Sequence, residues 1–359
     1  MENSKILDAD IISSSTSNVP MDHHLIVSDN IVAREGFLVA VRILDEKTTY
    51  NQVELRNGEF ITLKRNKILV GTLGERQALR GYSGIVPRQI KKGDILHILN
   101  MGGIIGLCQS DYPAYGPATR VEVIGAVMIY HDDTYKHASI SDFAIEWEDH
   151  LPHSAPLIAV TGTCMNVGKT YAASSIIEKL TQKGLRVAAA KLTGASLLRD
   201  TKAMKDKGAV VCTNFSEAGL VSTTHQNVVT MAKGLIKHLN SYSPDAIVLE
   251  FGDGVIGAYG VDNLLMDKEI QQHIAVHVAA AQDLTGCWAL DKLFRSQYNH
   301  ELNLITGPVT DNIVGVRYIT KTLGIQAANA MQHPNTLVEY VLDELNNPER
   351  SGNHKIQVA

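Results

Sequence analysis

The residues best placed to do chemistry lie in one stretch, LIAVTGTCMNVGKT, at residues 157–170. Its first four residues are apolar and predict a short buried parallel strand. A loop bounded by Gly162 and Gly168 follows, and then come Lys169 and Thr170. Glycines let a backbone turn tightly, so that successive N–H groups can point at a bound anion. The stretch therefore predicts a phosphate-binding loop.

A helix that begins beside this loop would strengthen the attraction for phosphate. Apolar residues recur at three- and four-residue spacing over residues 169–183, which predicts an amphipathic helix with partial positive charge at its amino end. The ammonium of Lys169 would neutralise the terminal phosphates of a nucleotide, and the hydroxyl of Thr170 would bind Mg²⁺. The alternative is an ordinary strand-to-helix turn. The expected nucleotide-binding residues are Gly162, Thr163, Asn166, Val167, Gly168, Lys169 and Thr170.

Two further predicted strands carry a charged residue where their apolar run ends. The strand at residues 186–191 ends in Lys191, and the strand at residues 246–251 carries Glu250. The carboxyl ends of parallel strands meet at one edge of a sheet, where ligands bind. A lysine there can stabilise a phosphoryl group in transfer, and an acid there can join the threonine on Mg²⁺. The alternatives are a lysine that reaches solvent and a structural carboxylate.

The spacing inside the loop carries a family resemblance. Five residues separate Gly162 from Gly168, where the common pattern has four, and GTCMNVGKT is similar to the GT-x-x-x-VGKT loop of dethiobiotin synthetase. Relatives of that enzyme include cobyric-acid-type synthetases and the maturation GTPases for metal centres and molybdopterin. The resemblance covers about half of the chain, from Leu157 onward. It implies a P-loop fold, ATP and Mg²⁺ as cofactors, a small carboxylate substrate and a homodimer.

The same resemblance implies roles for single residues. In dethiobiotin synthetase the matching strand ends in a lysine that faces the substrate and the transferred phosphate, which implies that role for Lys191. The family also has a glutamate before a glycine-rich turn, as Glu250 is here. A further metal-binding acid lies between these segments in the family, and Asp200 is favoured over Asp206 for it. Asp253, in the turn FGDG, has no counterpart in the family.

The function expected from these residues is an Mg-ATP-dependent ligase, synthetase or phosphotransferase. It would transfer the γ-phosphoryl group to a small carboxylate or carbamate, for ligation to an amine. Lys169 and Lys191 would act in catalysis, and Thr170, Glu250 and Asp200 would bind the metal. Two alternatives stay open. One is a nucleotide-switch maturation GTPase or ATPase, and the other is an N-acyltransferase on an amino acid, because D-glutamate N-acetyltransferase-like proteins have a related P-loop domain.

The nucleotide base is not assigned by any motif, because the chain has no NKxD sequence. A polar turn after a late predicted strand carries Thr310, Asp311 and Asn312, which could contact the base or cap the next helix. Asp283 follows another buried strand and has the same two interpretations. ATP and GTP therefore both remain open.

Composition narrows the class of protein. The chain has 359 residues, 45% apolar and 20% charged, which is typical of a globular protein of about two domains. A net charge of −5 does not indicate the basic surface that is typical of nucleic-acid-binding proteins. Four scattered cysteines without a CxxC pair predict reduced thiols in a cytoplasmic protein. No apolar run of about 18 residues is present, so no membrane span is expected.

The order of apolar runs and turn residues along the chain predicts its domain organisation. Short apolar runs separated by turn residues indicate a β-rich barrel or sandwich, and alternation of strand and helix in the second half indicates an α/β domain with a parallel sheet and helices on both faces. A polar, proline-marked stretch between them is typical of a linker, so that the β-rich domain is expected to fold separately. The predicted parts are a flexible tail at 1–29, the β-rich domain at 30–131, the linker at 132–156 and the P-loop nucleotide-binding domain at 157–350.

Overall fold

A computed structural model describes residues 4–346 of the chain and divides the chain into two compact units, each built from separate segments. Unit 1 draws its described residues from Met1–Ile145, Ala195–Arg199 and Phe215–Thr223. Unit 2 draws its described residues from Glu146–Gly194, Asp200–Asn214 and Thr224–Ala359. The ends of the predicted tail and of the predicted P-loop domain, at 1–3 and 347–350, lie outside the described residues.

Unit 1 is rich in β-strands. Five of them, β12, β4, β7, β11 and β10, pair in a closed circuit. A closed circuit of strands is a barrel, which is one of the two architectures that the sequence predicts. Alternate residues of β4, among them Val39 and Val41, face an apolar core that Leu69 and Val121 also line. The strands are β1 Ser4–Asp8, β2 Ile11–Ile12, β3 His24–Ser28, β4 Leu38–Ile43, β5 Gln52–Glu54, β6 Phe60–Thr62, β7 Ile68–Leu73, β8 Arg76–Gln77, β9 Ser83–Ile85, β10 Ile95–Ile98, β11 Ile104–Ser110, β12 Thr119–His131 and β13 Thr134–His137.

Ordered structure occupies residues 4–28, where the sequence analysis expects a flexible tail. β1 pairs with β3 in antiparallel register, and β3 pairs with β12. The serine-rich part forms a buried 3₁₀ turn at Ser14–Thr16. The Ser15 N–H donates to the Gly102 carbonyl at 2.8 Å, and the Thr16 hydroxyl donates to the Ser13 carbonyl at 2.8 Å. Such a segment looks polar in sequence, but the hydroxyls of Ser15 and Thr16 bond to backbone carbonyls, which allows their burial.

The predicted linker at 132–156 also contains regular structure. It includes β13 and a 3₁₀ turn at Ile140–Phe143, whose start is capped by the Ser139 side chain. The boundary between the units in this stretch lies between Ile145 and Glu146.

Unit 2 is built on a parallel sheet of seven strands in the order β16-β15-β17-β14-β18-β19-β20. The α/β fold class predicted from sequence is confirmed. The strands are β14 Leu157–Gly162, β15 Val187–Thr193, β16 Val211–Asn214, β17 Ala246–Phe251, β18 Ile274–Ala280, β19 Leu304–Thr306 and β20 Gln326–Ala327.

Helices flank this sheet. α1 and α8 pack together in an apolar cluster with β14 and β18, and α3 packs on β15 and β16. The helices are α1 Lys169–Gln182, α2 Arg199–Asp206, α3 Val228–Asn240, α4 Val261–Met266, α5 Lys268–Gln271, α6 Leu284–Leu293, α7 Ile313–Tyr318 and α8 Pro334–Leu345. Within residues 4–346, no helix is long and apolar enough to cross a membrane.

Candidate functional site

The phosphate-binding stretch has the backbone that its sequence predicts. β14 lies between β17 and β18, is fully buried and ends at Gly162. Asn166 has a φ of 60°, and Gly168, directly before α1, has a φ of 95°. A φ of 95° suits glycine and strains other residues. Since glycine offers no capping side chain, the first amides of α1 can bond to an anion.

The lysine of this loop is held inside it. Lys169 is only 5% exposed, and its Nζ donates to the Cys164 carbonyl at 2.7 Å. Burial lowers the pKa of the Lys169 ammonium, while the negative charges of Glu250 and Asp253 oppose that shift. An ammonium bonded to a neutral carbonyl can exchange that acceptor for a phosphate oxygen, which is the stronger partner.

A threonine hydroxyl and a carboxylate meet beside the loop. Thr170 Oγ1 donates to Glu250 Oε1 at 2.8 Å. Glu250 is 2% exposed, and its Oε2 has no hydrogen-bond partner among residues 4–346. Burial raises the pKa of the Glu250 carboxyl to about 7, and the charge of Asp200 adds to the rise. A buried carboxylate oxygen without a partner is costly, and a cation would relieve that cost.

These two side chains fit Mg²⁺. The ion prefers oxygen ligands and is commonly bound by one or two protein oxygens, with phosphates and waters in its other positions. Thr170 Oγ1 and the carboxylate of Glu250 supply such oxygens. Among the described residues, no group of three or more His, Cys, Asp or Glu side chains that could hold a metal is found.

Lys191 and Asp200 form a buried ion pair next to Glu250. Lys191 lies opposite Glu250 in the register of β15 and β17, and its Nζ donates to Asp200 Oδ2. Lys191 is 8% exposed and Asp200 is 6% exposed. The structure therefore brings together Lys169, Thr170, Lys191, Asp200 and Glu250, all named from the sequence.

The two other acids that the sequence analysis weighed differ in position. The side chain of Asp206 is 63% exposed and lies 3.9 Å from Lys202 on the same helix, so it faces solvent. Asp253 has a φ of 68° in the turn after β17, and its charge acts on Lys169. Asp253 thus belongs to the electrostatic surroundings of the loop, whereas Asp206 does not.

The polar residues considered for base contact all bond to other protein groups, three of them within their own turns. Asn312 caps α7 by accepting the Val314 N–H at 3.0 Å, and Asp283 caps α6 by accepting the Gly286 N–H at 2.7 Å. Thr310 donates to the Gly307 carbonyl at 2.6 Å, and Asp311 accepts from Asn329 at 2.7 Å. Helix capping, one of the two interpretations, is what Asn312 and Asp283 do.

Sequence reasoning missed two backbone hydrogen bonds at the start of the loop. Val255, in the turn after β17, donates its N–H to the Gly162 carbonyl at 2.9 Å, and Thr163 donates its N–H to the Ala280 carbonyl at 2.9 Å. The glycines of FGDGVIG were the available signal, because a backbone that approaches another backbone closely needs small residues.

No protein-family model matches the chain, and no curated protein matches its sequence. Similar solved structures include HypB from Helicobacter pylori in complex with nickel, at 13% identity over 56% of this chain and 92% of that chain, with a TM-score of 0.37. Chloroplast FtsY from Physcomitrella patens matches at 12% identity over 56% and 70%, with a TM-score of 0.35. A DUF1611 family protein from Anabaena variabilis matches at 11% identity over 56% and 61%, with a TM-score of 0.39.

At these identities and TM-scores, the solved structures assign no activity to this chain. The resemblance to dethiobiotin synthetase stays a prediction.

Proposed function

We propose that this chain binds a nucleoside triphosphate together with Mg²⁺ and transfers its terminal phosphoryl group to a small carboxylate or carbamate. The observation that carries the proposal is the hydrogen bond from Thr170 to Glu250 beside the loop at 162–168. It joins two oxygens of the kind that Mg²⁺ prefers, at the start of a helix whose first amides are available to an anion.

Phosphate binding would depend on backbone and one side chain. The amides of the loop and of the first turn of α1 would donate to phosphate oxygens. Lys169 would leave the Cys164 carbonyl and pair with the terminal phosphates. Because Lys169 is buried, its charge acts in a region of low dielectric, where it interacts more strongly than at the surface.

Thr170 and Glu250 would hold Mg²⁺, which supplies positive charge against the phosphate oxygens when it is bound. Glu250 must be ionised for this role, so metal binding would release a proton from that fraction of molecules in which its carboxyl is protonated. The hydroxyl proton that Thr170 now donates to Glu250 would turn away, which frees the oxygens of both side chains for the ion.

Lys191 would carry charge on the side of the phosphate where the acceptor lies. Its position at the carboxyl end of β15, opposite Glu250, supports this role. Asp200 accepts from Lys191 Nζ, which supports a role for Asp200 in holding the ammonium in place. A positioned cation acts most strongly on charge that develops in the transition state.

The first test is nucleotide binding and turnover by the whole chain. Fluorescent ATP and GTP analogues, with Mg²⁺ or with a chelator, measure affinity. Release of phosphate or of the nucleoside diphosphate measures turnover. We expect Lys169→Ala to lose turnover by about 100-fold or more. Lys183→Ala is the matched control, since Lys183 is exposed at the other end of the same helix. Absence of binding by the folded wild type, or equal turnover in Lys169→Ala, would refute the proposal.

The acceptor is tested by adding small carboxylic acids and carbamates to the turnover assay. Stimulation of nucleoside diphosphate release by one of them, with a phosphorylated or ligated product, supports phosphoryl transfer. Steady hydrolysis that no acid stimulates would contradict transfer and favour a nucleotide switch. Acylation of an amino acid without formation of a nucleoside diphosphate would favour the acyltransferase alternative.

A further inference from the structure

A buried arginine of unit 1 has no counter-ion among the described residues. Arg76 begins β8, which pairs with β9 in a short hairpin, and the residue is only 6% exposed. No acidic side chain within residues 4–346 forms an ion pair with it. A guanidinium keeps its charge in proteins, and a buried charge is costly unless it is paired. The residues around Arg76 therefore leave one positive charge unbalanced.

The hydrogen bonds of this guanidinium use one of its nitrogens. Nη1 donates to the Tyr50 hydroxyl at 3.2 Å and also to the Leu99 carbonyl, both of which are neutral acceptors. Nε is buried without a hydrogen-bond partner among the described residues, and Nη2 forms no hydrogen bond there either. The N–H groups of Nε and Nη2 lie along one side of the planar group, and this Nε–Nη2 edge can bind both oxygens of a carboxylate. The edge that suits a carboxylate is thus the edge without a partner.

The turn of the hairpin lies against the same side of Arg76. A Cβ on Gly81 would be 2.6 Å from Nη2 and 2.9 Å from Cζ, so the backbone can approach the guanidinium only because residue 81 has no side chain. Leu79 and Arg80, in the middle of the turn, are exposed, Leu79 by 79%. Exposed turns with few buried contacts open at low free energy. Opening of this turn would give a ligand access to the Nε–Nη2 edge.

The neighbours of Arg76 do not balance its charge by losing protons. The ring of Tyr50 stacks on Tyr115, with centroids 4.4 Å apart, and meets Tyr82 edge-on at 5.4 Å. Burial raises the pKa of the Tyr82 hydroxyl well above its usual value, and burial raises the pKa of the Cys108 thiol to about 11, although the charge of Arg76 opposes both shifts. Both groups are therefore neutral at neutral pH, and the anion has to come from elsewhere.

We propose that Arg76 and the turn at residues 78–81 form a binding site for a small monocarboxylate, which the Nε–Nη2 edge holds by two parallel hydrogen bonds. A single charge fits better than a phosphate dianion, because one guanidinium balances one charge and a second buried charge would stay unpaired. Asp111 also disfavours further negative charge, since its carboxylate already acts on the hydroxyl of Tyr82. The Tyr50 hydroxyl holds the guanidinium from its other side. The site lies within unit 1 and does not rest on the proposed function.

The experiment is an NMR titration of the whole chain with acetate and with benzoate, in a carboxylate-free buffer and without nucleotide. Acetamide and benzamide are the uncharged probes, and inorganic phosphate is the competing oxyanion. We expect saturable binding of at least one carboxylate with a Kd below about 10 mM, and no binding of the amides. No saturation by either carboxylate up to about 50 mM would overturn the site. Tighter binding of phosphate than of both carboxylates would overturn the choice of ligand.

Substitutions of Arg76 locate the bound carboxylate. Arg76→Gln removes the charge and should raise the Kd by about tenfold or more, because hydrogen bonds to a charged partner are the strong ones. Arg76→Lys keeps the charge but not the planar edge, so its Kd should rise less. Arg42→Gln is the matched control, because Arg42 is an arginine of unit 1 that already pairs with Glu122, at 3.3 Å. Equal Kd values for Arg76→Gln and Arg42→Gln would refute the proposal.

Gly81→Ala covers the case in which Arg76→Gln does not fold. Its methyl group meets the end of a flexible side chain, so the guanidinium can shift while the fold adjusts. We expect the Kd for the carboxylate to rise by about fivefold or more, since paired hydrogen bonds depend on geometry. Wild-type affinity in this variant would overturn the proposal.

The Nε–H signal of Arg76 reports the contact directly. This signal is assigned by its absence from the nitrogen-15 spectrum of Arg76→Lys, and we expect it to shift as the carboxylate saturates the wild type. A carboxylate that binds without shifting this signal occupies another site, which would refute the proposal. Because neither measurement involves nucleotide, absence of turnover would leave this site standing, and absence of carboxylate binding here would leave the nucleotide site standing.

Discussion

The two buried acids beside the loop, Asp200 and Glu250, each bond to a cation or a hydroxyl. Asp200 accepts from Lys191, and Glu250 accepts from Thr170, while one oxygen of Glu250 stays without a partner in the described part of the chain. Ion pairing favours the charged form of a carboxyl, and burial disfavours it. Burial and the charge of Asp200 raise the pKa of Glu250 to about 7 although Lys191 and Lys169 oppose the rise, so a further cation would favour its ionised form.

The first prediction concerns Glu250→Gln. The amide oxygen can still accept from Thr170, but the charge that Mg²⁺ needs is lost. We expect the Mg²⁺ concentration at half-maximal turnover to rise by about tenfold or more, while Mg²⁺-free nucleotide affinity changes by less than about threefold. A magnesium titration of turnover measures this, with Asp206→Asn as the control because Asp206 is exposed. An unchanged magnesium requirement would remove Glu250 from the metal site.

The second prediction concerns His137, a buried residue of unit 1. Its Nδ1 accepts the Val32 N–H at 3.1 Å, so Nε2 carries the proton and donates to the Leu38 carbonyl at 2.7 Å. Burial lowers the pKa of His137 from 6.5 to about 4. The unfolded chain then binds more protons between these values, so stability is present above pH 6.5 and is lost as the pH falls towards 4.

The size of this loss at pH 4 should be about 3 kcal/mol. Thermal and denaturant unfolding at several pH values, for the wild type and His137→Gln, isolate the contribution of this residue from that of the carboxyls. The variant should lose less stability on acidification than the wild type. Equal pH dependence of the two proteins would mean that His137 is not the titrating group.

Single site residues can be predicted from the sequence where a local pattern of neighbouring residues indicates their role. Lys169 and Thr170 follow a glycine loop, and Glu250 stands where an apolar strand ends, so their neighbours in sequence are enough to name them. The partner of Asp200 was not predictable in this way. Its contact with Lys191 depends on the path of the intervening loop, which no local pattern describes.

At the scale of elements, the ends of β14, β15 and β17 form the site because parallel neighbours in a sheet end at the same edge. The turn after β17 is as important as the strand. Its backbone approaches the end of β15 so closely that a Cβ on Gly252 would lie 2.1 Å from the Thr193 carbonyl oxygen. The Thr193 hydroxyl donates to the Gly252 carbonyl at 2.9 Å, which joins this turn to the end of β15.

The third prediction is that Gly252→Ala disrupts this junction. The added methyl meets backbone, which cannot rotate away as a side chain can, so one turn must shift. We expect a loss of about 1–3 kcal/mol in stability and a clear fall in turnover, because Lys191 lies beside the same glycine. Gly257→Ala, in the same turn, is the control, since the nearest atoms to its Cβ are 3.6 Å away. Thermal unfolding and turnover that are alike for the two variants would contradict the prediction.

Strand and helix patterns in unit 2 were readable because apolar runs and glycine turns alternate regularly there. The serine-rich segment at residues 13–16 is predicted to be flexible because hydroxyl side chains count as polar in any composition argument, whereas the structure buries Ser14–Thr16 in a 3₁₀ turn. Their burial becomes possible only when residues distant in sequence bond to them: the Ser15 hydroxyl donates to the Gly103 carbonyl, and the Thr72 hydroxyl of β7 donates to the Ser15 carbonyl.

At the scale of the whole molecule, unit 1 is completed by two segments from the second half of the chain. Ala195 pairs with Ser222 in an isolated bridge, the Ile145 N–H donates to the Glu217 carbonyl at 2.7 Å, and Val221 is 2% exposed in the apolar core of unit 1. A composition-based division into consecutive domains cannot represent this. The sequence predicts a β-rich domain that folds separately, and in the structure the β-rich unit includes residues 195–199 and 215–223.

The last prediction tests this interleaving with a protease site placed between Ile145 and Glu146. Cleavage there separates the chain at the boundary in sequence, but unit 1 keeps its two later segments only if both pieces stay together. We expect the cleaved protein to elute as one species in size-exclusion chromatography and to unfold near the temperature of the uncleaved protein that carries the same site. Residues 1–145 expressed alone should unfold at a lower temperature, because they lack the partners of Asn100 and Glu54 and the apolar side chain of Val221. Immediate separation of the cleaved pieces, together with an unchanged melting temperature for the fragment, would mean that the β-rich part is a self-sufficient domain.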